Sequence, residues 1–358
     1  MFSLKALGLP LLLYALGGLA AQPALEIDDR ERGRRWSVHL DNDLFAFTER
    51  DHDYTAGVAF SLGGDDARSH PLSLAKALAW TDARTGFERL ASRAARSGYA
   101  LDLGLLLFTP QDLSAREPLF DDRPYASLAY VSASQLAHDS ATETVYQSSL
   151  TLGALGLPLA ETLHRGIHEA FGSAEPRGYA NAISAGGEPT FRYAVARRRL
   201  LARGSYGDRP YSLQLGAGAS VGYVTEAAVE IGFRWGRTRW PWWSSLPAAA
   251  EYAGQPPIGV SDAAPPAARR IEVLFDAGVK ARARLYNAFL EGQFRDSAVT
   301  FESSELNHVL LDAWLGVTTV INGRLSVSYT VRRQTQELAA GRGARAFTWA
   351  SIGVAQHF

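Results

Sequence analysis

The chain has 358 residues, no cysteine and a formal net charge of -1 at pH 7. Without cysteine there is no disulfide framework and no thiol nucleophile, so stability must come from packing or backbone pairing. A charge near zero gives no electrostatic footprint for nucleic acid, and the length suits several soluble domains or one barrel.

Residues 1–21 carry Lys5, an apolar run from Ala6 to Leu19 and small residues at Gly18, Ala20 and Ala21. That is the layout of a secretory signal peptide, too short in its apolar core to span a membrane, and it leaves residues 22–358 as one mature domain. No later window offers about 18 consecutive apolar residues, so any membrane insertion is through strands.

The first strand sets the pattern. Trp36, Val38 and Leu40 alternate with polar partners until Asp41-Asn42-Asp43 interrupts them, and Asp53-Tyr54-Thr55-Ala56-Gly57 opens the returning strand. An acidic cluster at a strand end has two readings: a hard-cation site at a barrel mouth, or an Asx turn. Parity turns Asp43 inward and Asn42 outward, so joint ligation requires a bulge or a strand end at Asn42. Thr55 lies on the polar face of the second strand with Gly57, Ala59 and Ser61, opposite Val58, Phe60 and Leu62.

Further along, Val229 to Trp235, Ile271 to Leu285 and Leu325 to Val331 alternate in the same way, with Glu230, Arg234, Asp276, Lys280, Arg282 and Arg284 on the polar side. Apolar-out, polar-in alternation is what a lipid-facing barrel wall requires, although a sandwich would also alternate. Strands are expected near 35–43, 53–63, 99–108, 125–136, 143–155, 190–201, 211–221, 227–236, 270–285, 308–320, 325–334 and 346–358. These make a 12-stranded antiparallel transmembrane β-barrel, all-β, with both ends in the periplasm. Ile321-Asn322-Gly323-Arg324 predicts a type I′ hairpin, and the last strand ends in Phe358, as bacterial outer-membrane barrels commonly do. Two periplasmic connections are long: 64–98, with helix-like pieces at Leu74–Leu78 and Phe87–Ala95, and 237–269, where Trp240-Pro241-Trp242-Trp243 reads as an interfacial aromatic belt.

On the outer side, the loop 156–189 predicts a helix ending at Gly172, with Leu159, Leu163, Ile167 and Phe171 on one stripe and Glu161, His164 and His168 on another. Three readings stand for the histidines: a shared zinc ion, although Arg165 occupies the place of a zinc-peptidase glutamate; surface histidines without a role; and His168 as a general base, its ordinary pKa of about 6.5 suiting proton transfer. Asp122-Arg123-Pro124-Tyr125 reads as a loop salt bridge with an aromatic anchor; the sharper reading has Arg123 or Arg116 gripping a lipid phosphate.

Taken together, Leu40 to Phe45, Asp53 to Gly57, Asp121 to Ala126 and Gly153 to Gly172 resemble the LpxR-type lipid A 3′-O-deacylases of the Gram-negative outer membrane. The resemblance implies a calcium-dependent esterase, acting as a monomer in the outer membrane, that removes the 3′-acyloxyacyl chain of lipid A within lipopolysaccharide. Its site faces the outer leaflet, between wall and loop helix. Carried over by position, Asn42, Asp43, Thr55 and His168 are the active-site residues. Asn42, Asp43 and Glu175 are the expected Ca2+ ligands, and Arg116, Arg123 and His164 are expected to contact substrate. His164 stands where the family pattern has glutamine, and Arg116 is the substitute where the family has a lysine. Two other classes fit a barrel: a serine-type outer-membrane phospholipase, and a non-enzymatic structural or pore barrel lined by the inward charges.

Overall fold

The computed structural model describes residues 35–47, 52–92, 94, 96–238, 240–243, 252 and 271–357. The expected signal peptide and Phe358 lie outside these described residues. Twelve strands run β1 Arg35–Asn42, β2 Asp53–Gly63, β3 Arg96–Thr109, β4 Ala126–Asp139, β5 Thr144–Leu155, β6 Glu188–Tyr206, β7 Arg209–Gly222, β8 Val224–Arg237, β9 Ile271–Asn287, β10 Val309–Ile321, β11 Leu325–Gln334 and β12 Phe347–His357. Each pairs antiparallel with its sequence neighbours, and β1 pairs with β12 from Arg35 opposite His357 to Asn42 opposite Ala350, which closes the barrel. Closure leaves no unpaired sheet edge, the condition for a sheet to stand in lipid.

The expected alternation is present. Val229, Ile231, Phe233, Phe275 and Val279 are exposed on the outer wall, while Glu230, Arg234 and Asp276 are buried inside. Asn322 and Gly323 have φ of 52° and 69°, and Arg324 N–H donates to the Ile321 carbonyl, as the type I′ hairpin requires. The β6–β7 hairpin is longer than expected, pairing as far as Tyr206 with Arg209 past a bulge at Leu201.

Inside, the charges are paired. Glu230 binds Arg198 and Lys280, Glu226 binds Arg282 and Arg284, and Glu337 binds Arg284 and Arg123. Above them lies an aromatic cluster of Tyr54, Phe108, Tyr223, Phe289, Phe347 and Trp349. Tyr252, from the β8–β9 connection on the opposite end of the barrel, packs into that cluster, 4.8 Å from the Tyr54 ring. Trp243 is likewise internal, stacked on His138 at 4.9 Å and packed with Leu136 and Val145, while Trp242 Nε1 donates to Glu143. This corrects the aromatic-belt expectation for the pair: they fill the periplasmic mouth of the lumen, where indoles bury more area than on the wall.

Five α-helices lie among the described residues. Helices α1 Asp65–Ser69, α2 Ala75–Thr85 and α3 Phe87–Ala91 lie between β2 and β3, α4 Pro158–Phe171 lies between β5 and β6, and α5 Ala288–Glu291 follows β9.

Candidate active site at the outer rim

The outer ends of β1 to β5 make one sector of the rim. β1 stops at Asn42, and Asp43 turns into a helical conformation as the cap of a short 3-10 turn over Leu44–Ala46. Asn42 Oδ1 accepts from Leu44 N–H at 2.7 Å, an Asx turn, and Asn42 Nδ2 donates to the Thr55 carbonyl at 2.6 Å. The strand therefore ends where parity demanded a break. Asp43, buried, accepts from His52 N–H at 2.6 Å.

Thr55 is the extra residue of a bulge: Tyr54 faces Phe108 and Ala56 faces Leu107, with Thr55 between. The bulge lets both Tyr54 and Thr55 point inward, Tyr54 into the aromatic cluster and Thr55 Oγ1 to Thr109 Oγ1 at 2.5 Å. Just before it, Asp53 takes φ of 75°, uncommon for a residue with a Cβ. Arg345 secures that conformation by forking onto Asp53 at 2.8 and 2.9 Å while reaching Asp122 at 2.9 Å.

Helix α4 begins with Pro158 in its first turn and stops at Gly172, whose φ of 63° suits a residue without a Cβ. Its faces are distributed oppositely to those of a soluble helix. Leu159, Leu163 and Ile167 are 54%, 44% and 51% exposed, whereas Ala160, His164 and His168 are at most 6% exposed. A helix lying at a bilayer boundary behaves this way, its apolar stripe covered by lipid and its polar stripe by protein.

His168 Nδ1 lies 2.6 Å from the Ala174 carbonyl, which can only accept, so the ring proton sits on Nδ1 and Nε2 is the basic nitrogen. His164 stands edge-on to it, ring centres 4.3 Å apart, with Nδ1 2.9 Å from Tyr179 Oη. Burial, and then the neighbouring His168, push His164 down to about 3, and burial raises the Tyr179 phenol. His164 is thus neutral and fixed in place, with Tyr179 as its support. Tyr179 packs at a tilt against Tyr125, ring centres 4.6 Å apart, and the Tyr125 hydroxyl donates to the Leu113 carbonyl, joining α4 to the loop that follows Thr109.

The structure therefore places Asn42, Asp43 and Thr55 in one corner at the outer ends of β1 and β2, and His164 with His168 in another on α4 between β5 and β6; β3 and β4 lie between the two. Arg116 is exposed, its carbonyl accepting from Asn181 beyond α4. Arg123 departs from the phosphate-gripping expectation. It is buried, paired with Glu337 and stacked over Phe108 and Phe347, because the lumen carboxylate needs a cation. Glu175 departs from the expected ligand set: it is exposed, bound to Arg165 and Arg177, and Arg177 first among these holds its carboxyl below the ordinary range. Among the described residues no group of three or more His, Cys, Asp or Glu side chains is arranged to hold a metal. The two-histidine zinc reading thus gains no third ligand of those types. Hard oxygen donors are present in the Asp43 carboxylate and the Asn42 amide oxygen, which suit a calcium ion in chemistry. Thr109, Tyr179 and Arg345 were not singled out by sequence; the hydroxyl ending β3 opposite Asp53 was the available signal for Thr109.

A closed twelve-stranded barrel with an apolar outer wall, paired charges inside and a histidine-bearing helix at its mouth is the architecture of an outer-membrane barrel protein. The chain belongs to the outer membrane protein LpxR family, whose profile matches residues 8–358. Membership supports an outer-membrane enzyme that modifies lipid A. LpxR from Salmonella typhimurium has the same fold: TM-score 0.68 at 13% identity, over 90% of this chain and 100% of that one. The β domain of the Bordetella autotransporter BrkA matches at TM-score 0.41 and 10% identity, over 91% of this chain and 100% of its own. No curated protein sequence matches the chain.

Proposed function

We propose that the protein is a carboxylic ester hydrolase of the outer leaflet that releases the 3′-acyloxyacyl chain of lipid A, with His168 as the general base. The observation that carries this reading is the orientation of α4: its histidine stripe is buried against the loop bearing Ala174 and Tyr179 at the outer mouth, while its apolar stripe is exposed. An acylated substrate reaching such a site stays in the membrane.

In this reading His168 Nε2 takes a proton from water as the water oxygen bonds to the ester carbonyl carbon. The bond from that carbon to the sugar oxygen then breaks, and His168 returns the proton to the departing alkoxide. Ala174 holds the imidazole through Nδ1, and His164, itself held by Tyr179, packs against it. Asp43 and the Asn42 amide oxygen would hold calcium, which when bound supplies positive charge for the carbonyl oxygen. The Thr55–Thr109 hydroxyl pair lines the same corner, and Arg116 is the exposed cation suited to a lipid A phosphate.

Mass spectrometry of lipid A from cells expressing the protein and its His168→Ala form, with calcium and with chelator, tests this. Loss of the 3′ acyl chains only in calcium-replete parent cells is expected. An unchanged acyl pattern in the parent would sink the deacylase reading.

A further inference from the structure

Helices α1 to α3 do not hang below the barrel; they rest on its outside. Gln135, Ser148 and Tyr193 alternate with the lumen-facing Ser134, Gln147 and Arg192, so they share the wall face on which Leu152 and Phe191 are exposed. Over this patch lies α2. Leu78 packs on Ala133, Leu150 and Tyr193, and Asp82 accepts hydrogen bonds from Tyr193 Oη and Ser148 Oγ at 2.7 Å and from Gln135 Nε2. Phe87 of α3 meets Tyr146 edge-on at 6.5 Å, and Arg68 of α1 sits 4.9 Å over the Tyr99 ring.

Polar groups on a lipid-facing wall are costly, and here each has a partner from the helix, so the wall is polar where α2 covers it. The seat is therefore built into both sequences. The opposite stripe of α2 is Lys76, Trp80 and Arg84, all exposed, with the Arg84 guanidinium 5.3 Å over the indole. Leu72 and Leu90 flank it, also exposed. An indole between two long cations, continuous with an apolar wall, is the composition of the boundary between acyl chains and headgroups.

We propose that residues 65–91 form an interfacial collar that embeds Trp80 in the headgroup boundary of the phospholipid leaflet on the periplasmic side. Lys76 and Arg84 reach the phosphates while Asp82 latches the collar to β4, β5 and β6. The collar widens the barrel's footprint in that leaflet and fixes its height there.

Because the chain has no cysteine, single nitroxide labels report on the collar directly. Full-length Ala77→Cys and Ala83→Cys proteins, labelled and reconstituted in phosphatidylcholine–phosphatidylglycerol vesicles, are expected to show collision with oxygen exceeding collision with a water-soluble nickel chelate. Labels that meet the chelate as freely as a label in an aqueous loop would overturn the collar, and would instead leave the stripe to a water-borne partner. Trp80→Phe gives an independent measurement: the emission it removes is expected to be quenched by brominated acyl chains and shielded from acrylamide, and the reverse result overturns the proposal.

Discussion

Asn42 Nδ2 donates to the main-chain carbonyl of Thr55 at 2.6 Å, and the same amide accepts from Leu44 N–H at 2.7 Å. One side chain thus ties the end of β1 to the bulge of β2 and shapes the turn that presents Asp43. Asn42→Ala removes both bonds and is expected to cost about 1–3 kcal/mol of stability, because a half-buried carbonyl and an N–H lose their partners. Asn42→Asp keeps the acceptor and sets a carboxylate against the Thr55 carbonyl. Heat-modifiability on gels, with deacylation assayed in parallel, is expected to rank both variants below the parent in each measure. An Asn42→Asp protein as stable as the parent would show that the amide donor contributes nothing.

His168 is expected to carry the proton transfer. His168→Gln preserves much of the volume and the hydrogen bond to Ala174 while removing the basic nitrogen, so the rate should fall about 10²–10⁴-fold with the melting midpoint held close to that of the parent. Full activity in this variant removes the base assignment and leaves the fold assignment intact. An equal fall after treatment with a serine-reactive reagent would restore the phospholipase alternative.

The barrel was legible in sequence because a lipid-facing wall leaves a period of two in every strand, and Asn322-Gly323 announces its own turn. The inward positions of Glu230 and Asp276 follow from the same period. What pairs Glu230 does not, since Arg198 and Lys280 come from other strands and are matched only by register. The bulge at Thr55 was illegible for a similar reason: it is an extra residue relative to β3, and one strand alone cannot show it. In α4 the two stripes were readable from spacing, but not which one faces the barrel, because the protein buries the histidines and leaves the leucines exposed. Trp242 and Trp243 show the limit of composition, since indoles suit both a membrane boundary and a filled lumen.

Arg123 separates two roles through its response to a second substitution. Arg123→Met strands Glu337 against a single remaining cation, Arg284, and is expected to cost on the order of 3–5 kcal/mol. Glu337→Gln in the same chain should recover much of that loss. A phosphate-gripping arginine would instead leave the midpoint unchanged and raise KM, with no rescue from Glu337→Gln. Thermal midpoints of the single and double variants, with KM for lipid A, decide between them.

The depressed His164 gives a pH dependence with a defined sign. Its folded value is about 3, below the unfolded value of about 6.5, so between these limits the unfolded chain binds the extra proton. The contribution is full above about pH 6.5 and is lost as pH falls toward 3. His164→Gln, which does not titrate, is expected to flatten that part of the stability curve while leaving stability near pH 8 little changed. Unfolding midpoints measured every half unit from pH 3.5 to 8 on parent and variant would show it. Parallel curves would mean that His164 accepts a proton in the folded state without penalty.

Calcium is the last expectation to be tested by removal, and Asp43 is the residue on which it turns. Its carboxylate is buried and bonded to His52 N–H, so Asp43→Asn changes its charge with little change of shape. Metal affinity in oxygen-ligand sites scales with ligand charge, so the variant should need more calcium for the same rate. Chelator should abolish activity in the parent, and added calcium, rather than magnesium, should restore it, since magnesium demands a stricter octahedral shell than one carboxylate and one amide at a strand end provide. Glu175→Gln, on the exposed arginine pairs, should leave the calcium requirement where it is. A parent enzyme indifferent to chelator would remove the ion from the mechanism and leave His168 with the neutral donors of the rim. A calcium requirement moved by Glu175→Gln rather than by Asp43→Asn would transfer the ion to the loop after α4.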